Sequence, residues 1–169
     1  KFSDSTFYDA RADAIDIDIS DVEIENCSFI NSGNDAIDSM TSKVIVTNTN
    51  INKAGDKGIS AGESSQVSIN NLTFNNTEIA VQSKDDSSVH INNSKFLNNK
   101  IQLDAYQKNW RYGNGGKIKV IDSMFKGKIN QINAKNNSEI IVINSSFNNK
   151  FSHLETKKIR FDGNYLNNW

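Results

Sequence analysis

Asp35-Ala36-Ile37-Asp38 repeats Asp13-Ala14-Ile15-Asp16 at a distance of 22 residues, and an altered copy, Asp56-Lys57-Gly58-Ile59-Ser60, begins 21 residues after Asp35. Self-similarity at a fixed period of this size marks a chain of stacked units, each burying its apolar face only against its neighbours. Around this word each unit reads x-V/I-x-I/V-x-N-x-x-F, followed by a polar turn and an apolar residue expected eight positions after the aromatic one. The aromatic position runs Phe7, Phe29, Ile51, Phe74, Phe96, Phe125 and Phe147. The apolar position after the turn is assigned to Ile15, Ile37 and Ile59 at that spacing, and to Ile79, Ile101, Ile129 and Phe151 four or five positions on.

Between these positions lie the pairs Val22/Ile24, Val44/Val46, Val67/Ile69, Val89/Ile91, Ile118/Val120 and Ile140/Val142. Alternation of this kind predicts short strands with one face buried, and no stretch keeps a helical period. Asn26, Asn48, Asn71, Asn93, Asp122 and Asn144 form a further column. Asn suits turns that need positive φ, and stacked amides can bond from unit to unit. The expected fold is all-β, a right-handed parallel β-helix of about seven coils with about 22 residues per coil, because crossover connections favour that hand. At about 4.8 Å per coil such a rod is roughly 34 Å long.

A hydrophobic content of 36% limits the core to a narrow column, and the absence of proline with 26 Asn fits a ladder of strands and turns. Net charge is −1, but residues 1–63 carry 12 acidic and 5 basic side chains, a net of −7, whereas residues 64–169 carry 8 and 14, a net of +6. This balance disfavours nucleic acid as a partner. Cys27 is the sole cysteine, so no disulfide framework exists, and no apolar run has transmembrane length. The chain is read as one domain over residues 1–169, a monomer whose first residues already lie inside a repeat, which predicts further domains of the same chain on its N-terminal side. Residues 155–169 are expected to cap the other end, with Ile159 and Phe161 starting an incomplete coil.

The period breaks once, between Asn93 and Asp122, where the gap grows by 7 residues. The extra length is assigned to a loop over 105–116 that carries Tyr106, Lys108, Trp110, Arg111 and Tyr112, and insertions on a solenoid are a usual place for function. Cations interleaved with aromatics suit an acidic sugar, which makes these five residues the candidate substrate-binding set. Lys84, Lys108 and Arg111 are the candidate bases should the chain act on uronates. If Ile15, Ile37, Ile59, Ile79 and Ile101 point inward, their neighbours Asp16, Asp38, Ser60, Ala80 and Gln102 form an outer row, with Asp18, Met40, Gly62, Gln82 and Asp104 two residues on. Asp16, Asp18 and Asp38 would then share one face as hard oxygen ligands of the type Ca²⁺ takes. Asp13, Asp35 and Asp56 are assigned to turns.

Asp-Ala-Ile-Asp at 35–38, Gly-Asp-Lys-Gly-Ile-Ser at 55–60 with Gly62-Glu63, Lys84-Asp85-Ser87, and Ala105-Tyr106-Gln107-Lys108 with Tyr112-Gly113 together resemble a bacterial group. It is the right-handed parallel β-helix domain of proteins related to the spore-coat CotH-type kinases, within the pectate-lyase-like superfamily. The resemblance implies an extracellular or cell-surface bacterial domain, attached to others, with carbohydrate as its ligand class. The paired Asp of polygalacturonases is absent, since Asn34 precedes Asp35. The first expectation is therefore a module binding acidic polysaccharide, with Ca²⁺ assistance. A structural spacer ranks second, and a polysaccharide lyase or epimerase third.

Overall fold

The computed structural model describes residues 1–127, 130–135, 137–148, 151–154 and 159–162. Every described element is a short strand, and the strands fall into three parallel sheets of 8, 7 and 7 members among the described residues. Each coil contributes one strand to each sheet, so a strand pairs with those one coil before and after it. This is the expected coiled architecture, with its period of about 22 residues. Ile159–Asp162 pairs with Glu139–Ile143 and begins a further coil in the first sheet. The rest of the expected cap lies outside the described residues.

Polar corners and an apolar axis follow from the alternation in sequence. Val44, Val46, Val67, Ile69, Val89, Ile91, Ile118, Val120, Ile140 and Val142 all point into the core. The aromatic column is in register as expected, with Phe29 beside Ile51 and Ile51 beside Phe74. Its rings stack face to face: Phe7 on Phe29 at 4.7 Å, Phe74 on Phe96 at 5.1 Å, Phe96 on Phe125 at 4.5 Å and Phe125 on Phe147 at 4.7 Å. Such pairs add about 0.5–1.5 kcal/mol each beyond the area they bury.

The corners solve the hydrogen-bonding problem of a buried turn. Asn26, Asn48, Asn71, Asn93, Asp122 and Asn144 all adopt positive φ, between 47° and 57°, as the Asn column predicts. Only part of that column bonds as a ladder: Asn26 Nδ2 donates to Asp4 and Asn71 Nδ2 to Asn48, whereas Asn93 reaches Asn70. A hydroxyl ladder, absent from the sequence-based expectation, lies one residue inward. The backbone N–H groups of Cys27, Leu72, Ser94 and Ser123 donate to the side-chain oxygens of Thr49, Ser94, Ser123 and Ser145 on the next coil.

The third sheet corrects one column. Its strands are Ile15–Asp18, Ile37–Met40, Lys57–Gly62, Ile79–Lys84, Ile101–Tyr106, Asn130–Ala134 and Phe151–Leu154. Ile15, Ile37 and Ile59 stand in one inward column, but the next members are Val81, Leu103 and Ile132. Ile79 pairs with Lys57 instead and Ile101 with Ile79, and both are only partly buried. The apolar residue therefore follows the aromatic position by eight residues in the first three coils and by seven from Phe74 onward. Ala105 and Tyr106, assigned to the inserted loop, complete the strand Ile101–Tyr106. Ile129 lies outside the described residues, and Phe151 pairs with Asn130.

Candidate functional site

The corrected register rebuilds the outer face of the third sheet. One row reads Asp16, Asp38, Ser60, Gln82, Asp104 and Asn133, and the next Asp18, Met40, Gly62, Lys84 and Tyr106. Ala80 and Gln102, placed in the first row by sequence, are fully buried at the corner instead. There Gln102 Oε1 accepts from Asn99 Nδ2. Gln82 and Asp104, placed in the second row, belong to the first, so Lys84 and Tyr106 stand side by side on the face.

The acidic end of this face holds the three carboxylates expected to bind Ca²⁺. Asp16 and Asp38 are neighbours on adjacent coils, while Asp18 stands beside Met40. Burial raises the Asp16 carboxyl above its ordinary value, and the charges of Asp18, Asp38 and Asp13 add to the effect. Asp38 accepts the N–H of Ser39. Among the described residues no group of three or more His, Cys, Asp or Glu side chains has a geometry that could hold a metal ion.

At the preceding turn Asp13 and Asp35 act across coils. Asp13 Oδ1 accepts the N–H of Asp35 at 2.8 Å, and Asp35 Oδ1 accepts that of Lys57 at 3.0 Å. Lys57, not Asp56, thus follows Asp35 in the column, and its ammonium bonds both Asp35 and Asp56. Burial pushes the Asp35 carboxyl up to about 6, with Lys57 partly offsetting it. The folded protein then holds this proton more tightly than the unfolded chain does, so stability falls as pH rises from 3.8 through about 6. Urea unfolding of the protein and of Asp35→Asn is expected to show this loss only in the unaltered chain; parallel pH profiles would refute the assignment.

Further along, Lys84 lies across Gly62 and donates to Ser60 Oγ at 3.2 Å. A Cβ on Gly62 would sit 2.7 Å from Lys84 Cε, so the glycine makes room for the lysine. Gln82 Nε2 donates to Asp104 Oδ2 at 2.9 Å. Ser60, Gln82, Asp104 and Asn133 are all buried although they belong to an outer row. Tyr106 is half-buried, and burial followed by the charge of Asp104 raises its phenol above the ordinary value.

The inserted loop emerges after Tyr106 and folds back over the preceding coil. Asp85, buried, accepts the N–H groups of Lys108 at 2.7 Å and Asn109 at 2.8 Å. Asp86 accepts those of Gly113 and Asn114, both at 2.9 Å, and the Asn114 amide at 3.0 Å. The Asn114 side-chain bond, with the two backbone bonds, holds the Asp86 carboxyl below its ordinary value. Gln107 Nε2 donates to Tyr112 O at 2.6 Å. On this frame Trp110 is 85% exposed, with the Arg111 guanidinium 5.9 Å from its ring centroid. Lys108 and Arg111 are exposed, and Tyr112 is half-buried.

Sequence reasoning singled out the loop side chains but missed Asp85 and Asp86 as its anchors, and missed the row Ser60, Gln82 and Asp104. An Asp-Asp pair in a turn, one coil before an insertion, was the available signal. Two open grooves lie elsewhere, one of about 600 Å³ along Gly33, Lys53, Gly55 and Lys100 and one of about 350 Å³ along Lys95, Ser123 and Asn144. No helix of the described residues is long and apolar enough to cross a membrane.

The family described as the right handed beta helix region matches residues 1–153. No curated protein matches the chain, and no solved structure matches it. With three parallel sheets, one strand of each per coil, and a family match over nearly the whole length, this chain belongs to the right-handed β-helix family.

Proposed function

We propose that the chain is a binding module for acidic polysaccharide, of the extracellular or cell-surface kind that its resemblance to CotH-associated, pectate-lyase-like domains implies. One observation carries this: an exposed Trp110 beside the Arg111 guanidinium on a loop pinned by five hydrogen bonds to Asp85 and Asp86. A loop backbone held before the ligand arrives lowers the ordering cost of presenting the ring for stacking. The cations of Lys108 and Arg111 add attraction for carboxylates, and Arg can engage them bidentately. Tyr106, Tyr112 and Lys84 continue the same surface toward the acidic coils.

No step of this proposal passes through Ca²⁺; Asp16 and Asp38 are neighbours on adjacent coils, with Asp18 beside Met40. Elimination chemistry ranks lower, since Lys84 is engaged with Ser60 while Lys108 and Arg111 sit on the loop. Calorimetric titration with a uronate polymer, with and without Ca²⁺, tests the proposal. Binding is expected in both conditions, and Trp110→Ala is expected to weaken it about thirtyfold or more, in the range of interface hot spots of about 2 kcal/mol or more. Absence of binding in both conditions would sink the module and favour a structural spacer.

A further inference from the structure

We propose that Gln82, Asp104 and Tyr106 form a subsite for a primary ammonium group, of the kind an unacetylated amino sugar carries. From the function proposed above it takes only that this face receives a glycan.

Gln82 Oε1 is a buried acceptor with no hydrogen-bond donor among the described residues. The amide is not simply reversed, because its Nε2 already donates to Asp104 Oδ2 and turning it would set an oxygen against a carboxylate. Leaving such an acceptor unsatisfied costs about 1–3 kcal/mol, and native structures contain few of them. Asp104 is a second anomaly. It is only 7% exposed, yet no cation pairs with it among the described residues. The nearby ammonium groups are committed elsewhere, Lys57 to Asp35 and Asp56 and Lys84 to Ser60. A buried carboxylate normally has a cationic partner or several donors.

The two acceptors occupy one outer row on adjacent coils, about 4.8 Å apart by strand spacing. Tyr106 stands two residues beyond Asp104 on the same face of the strand, near enough for the Asp104 charge to act on its phenol. An ammonium group meets all three. It has three donors and no acceptor, it carries the charge Asp104 lacks, and it is attracted to an aromatic face. A sugar hydroxyl would satisfy Gln82 and leave the Asp104 charge uncompensated. Ca²⁺ takes six to eight oxygens, more than this row supplies. Acetylation removes the charge and adds bulk.

The intact protein is titrated calorimetrically with a glucosamine oligomer and with an N-acetylglucosamine oligomer of the same length, at a pH where the free amine is protonated. The free-amine oligomer is expected to bind at least tenfold more tightly. Asp104→Asn, which keeps an oxygen for Gln82 Nε2, is expected to lower that affinity at least tenfold, while the Trp110-dependent affinity for uronate polymer stays unchanged. Equal affinity for the two oligomers, no binding of the free amine, or an unchanged affinity in Asp104→Asn overturns the subsite. Asp104-dependent amine binding without uronate binding supports it and refutes the loop assignment alone.

Discussion

Phe96→Ala is expected to lower the unfolding free energy by about 3–5 kcal/mol, within the range for truncating a fully buried aromatic. The ring stacks on Phe74 at 5.1 Å and on Phe125 at 4.5 Å, so its loss opens a cavity against both neighbouring coils. A solenoid's stability is close to a sum of repeat terms and nearest-neighbour interfaces, and this substitution weakens two interfaces at once. Phe7, stacked on Phe29 at the first coil and only partly buried, is a useful contrast, since Phe7→Ala should cost less. Denaturant unfolding gives both values. A loss of less than about 1 kcal/mol for Phe96→Ala would mean that the column collapses around the gap, contrary to close packing of the interior.

Gly116→Ala is expected to displace the inserted loop. A Cβ there would lie 1.9 Å from Ser83 O, 2.2 Å from Ser83 C and 2.7 Å from Lys84 N, all backbone atoms that no rotamer can move aside. Gly116 is also where the loop rejoins the coil, donating its N–H to Tyr106 O and accepting that of Glu139. Overpacking of this kind costs about 1–3 kcal/mol or more. Gly113→Ala is the matched control, because the nearest atom to its Cβ is Asp86 Oδ2 at 4.0 Å. Its stability should stay within about 0.5 kcal/mol of the unaltered chain. Thermal melting and uronate titration of both variants check the pair. If Gly116→Ala binds and melts like Gly113→Ala, the close approach to Ser83 is wrong.

The repeat, the aromatic column and the positive-φ corners were legible because each recurs as a residue type at a fixed spacing. The third sheet was not fully legible, for a physical reason. Slipping a strand by one residue turns every side chain to the other face, but slipping it by two leaves inside and outside unchanged. Ile79 and Val81, or Ile101 and Leu103, satisfy the apolar pattern equally well. What decides is one residue fewer between Phe74 and its corner, together with Lys57 taking the place beside Ile79. The outer face inherited that error, so Gln82 and Asp104 were assigned to the wrong row. The loop's aromatics and cations were readable as an insertion. Asp85 and Asp86 were signalled only by their pairing one coil before it, since a single Asp in a turn looks the same whether it bonds its own backbone or a loop 23 to 28 residues away.

The anchoring of that loop also makes the rod mechanically uneven. The loop leaves the coil that ends at Tyr106, is tied to Asp85 and Asp86 on the coil before, and is tied forward as well. Gly115 donates its N–H to Asn137 O at 3.1 Å, and Asn137 Nδ2 donates to Gln107 Oε1 at 3.3 Å. Three consecutive coils are thereby stitched by bonds that bypass the sheets. Elsewhere among the described residues, neighbouring coils are joined through the sheets and their corners. Under tension along the axis, or in thermal fraying, the clasped coils carrying Lys84, Asp104 and Trp110 are expected to open after the first coils, which slower amide exchange there than over residues 1–40 would check.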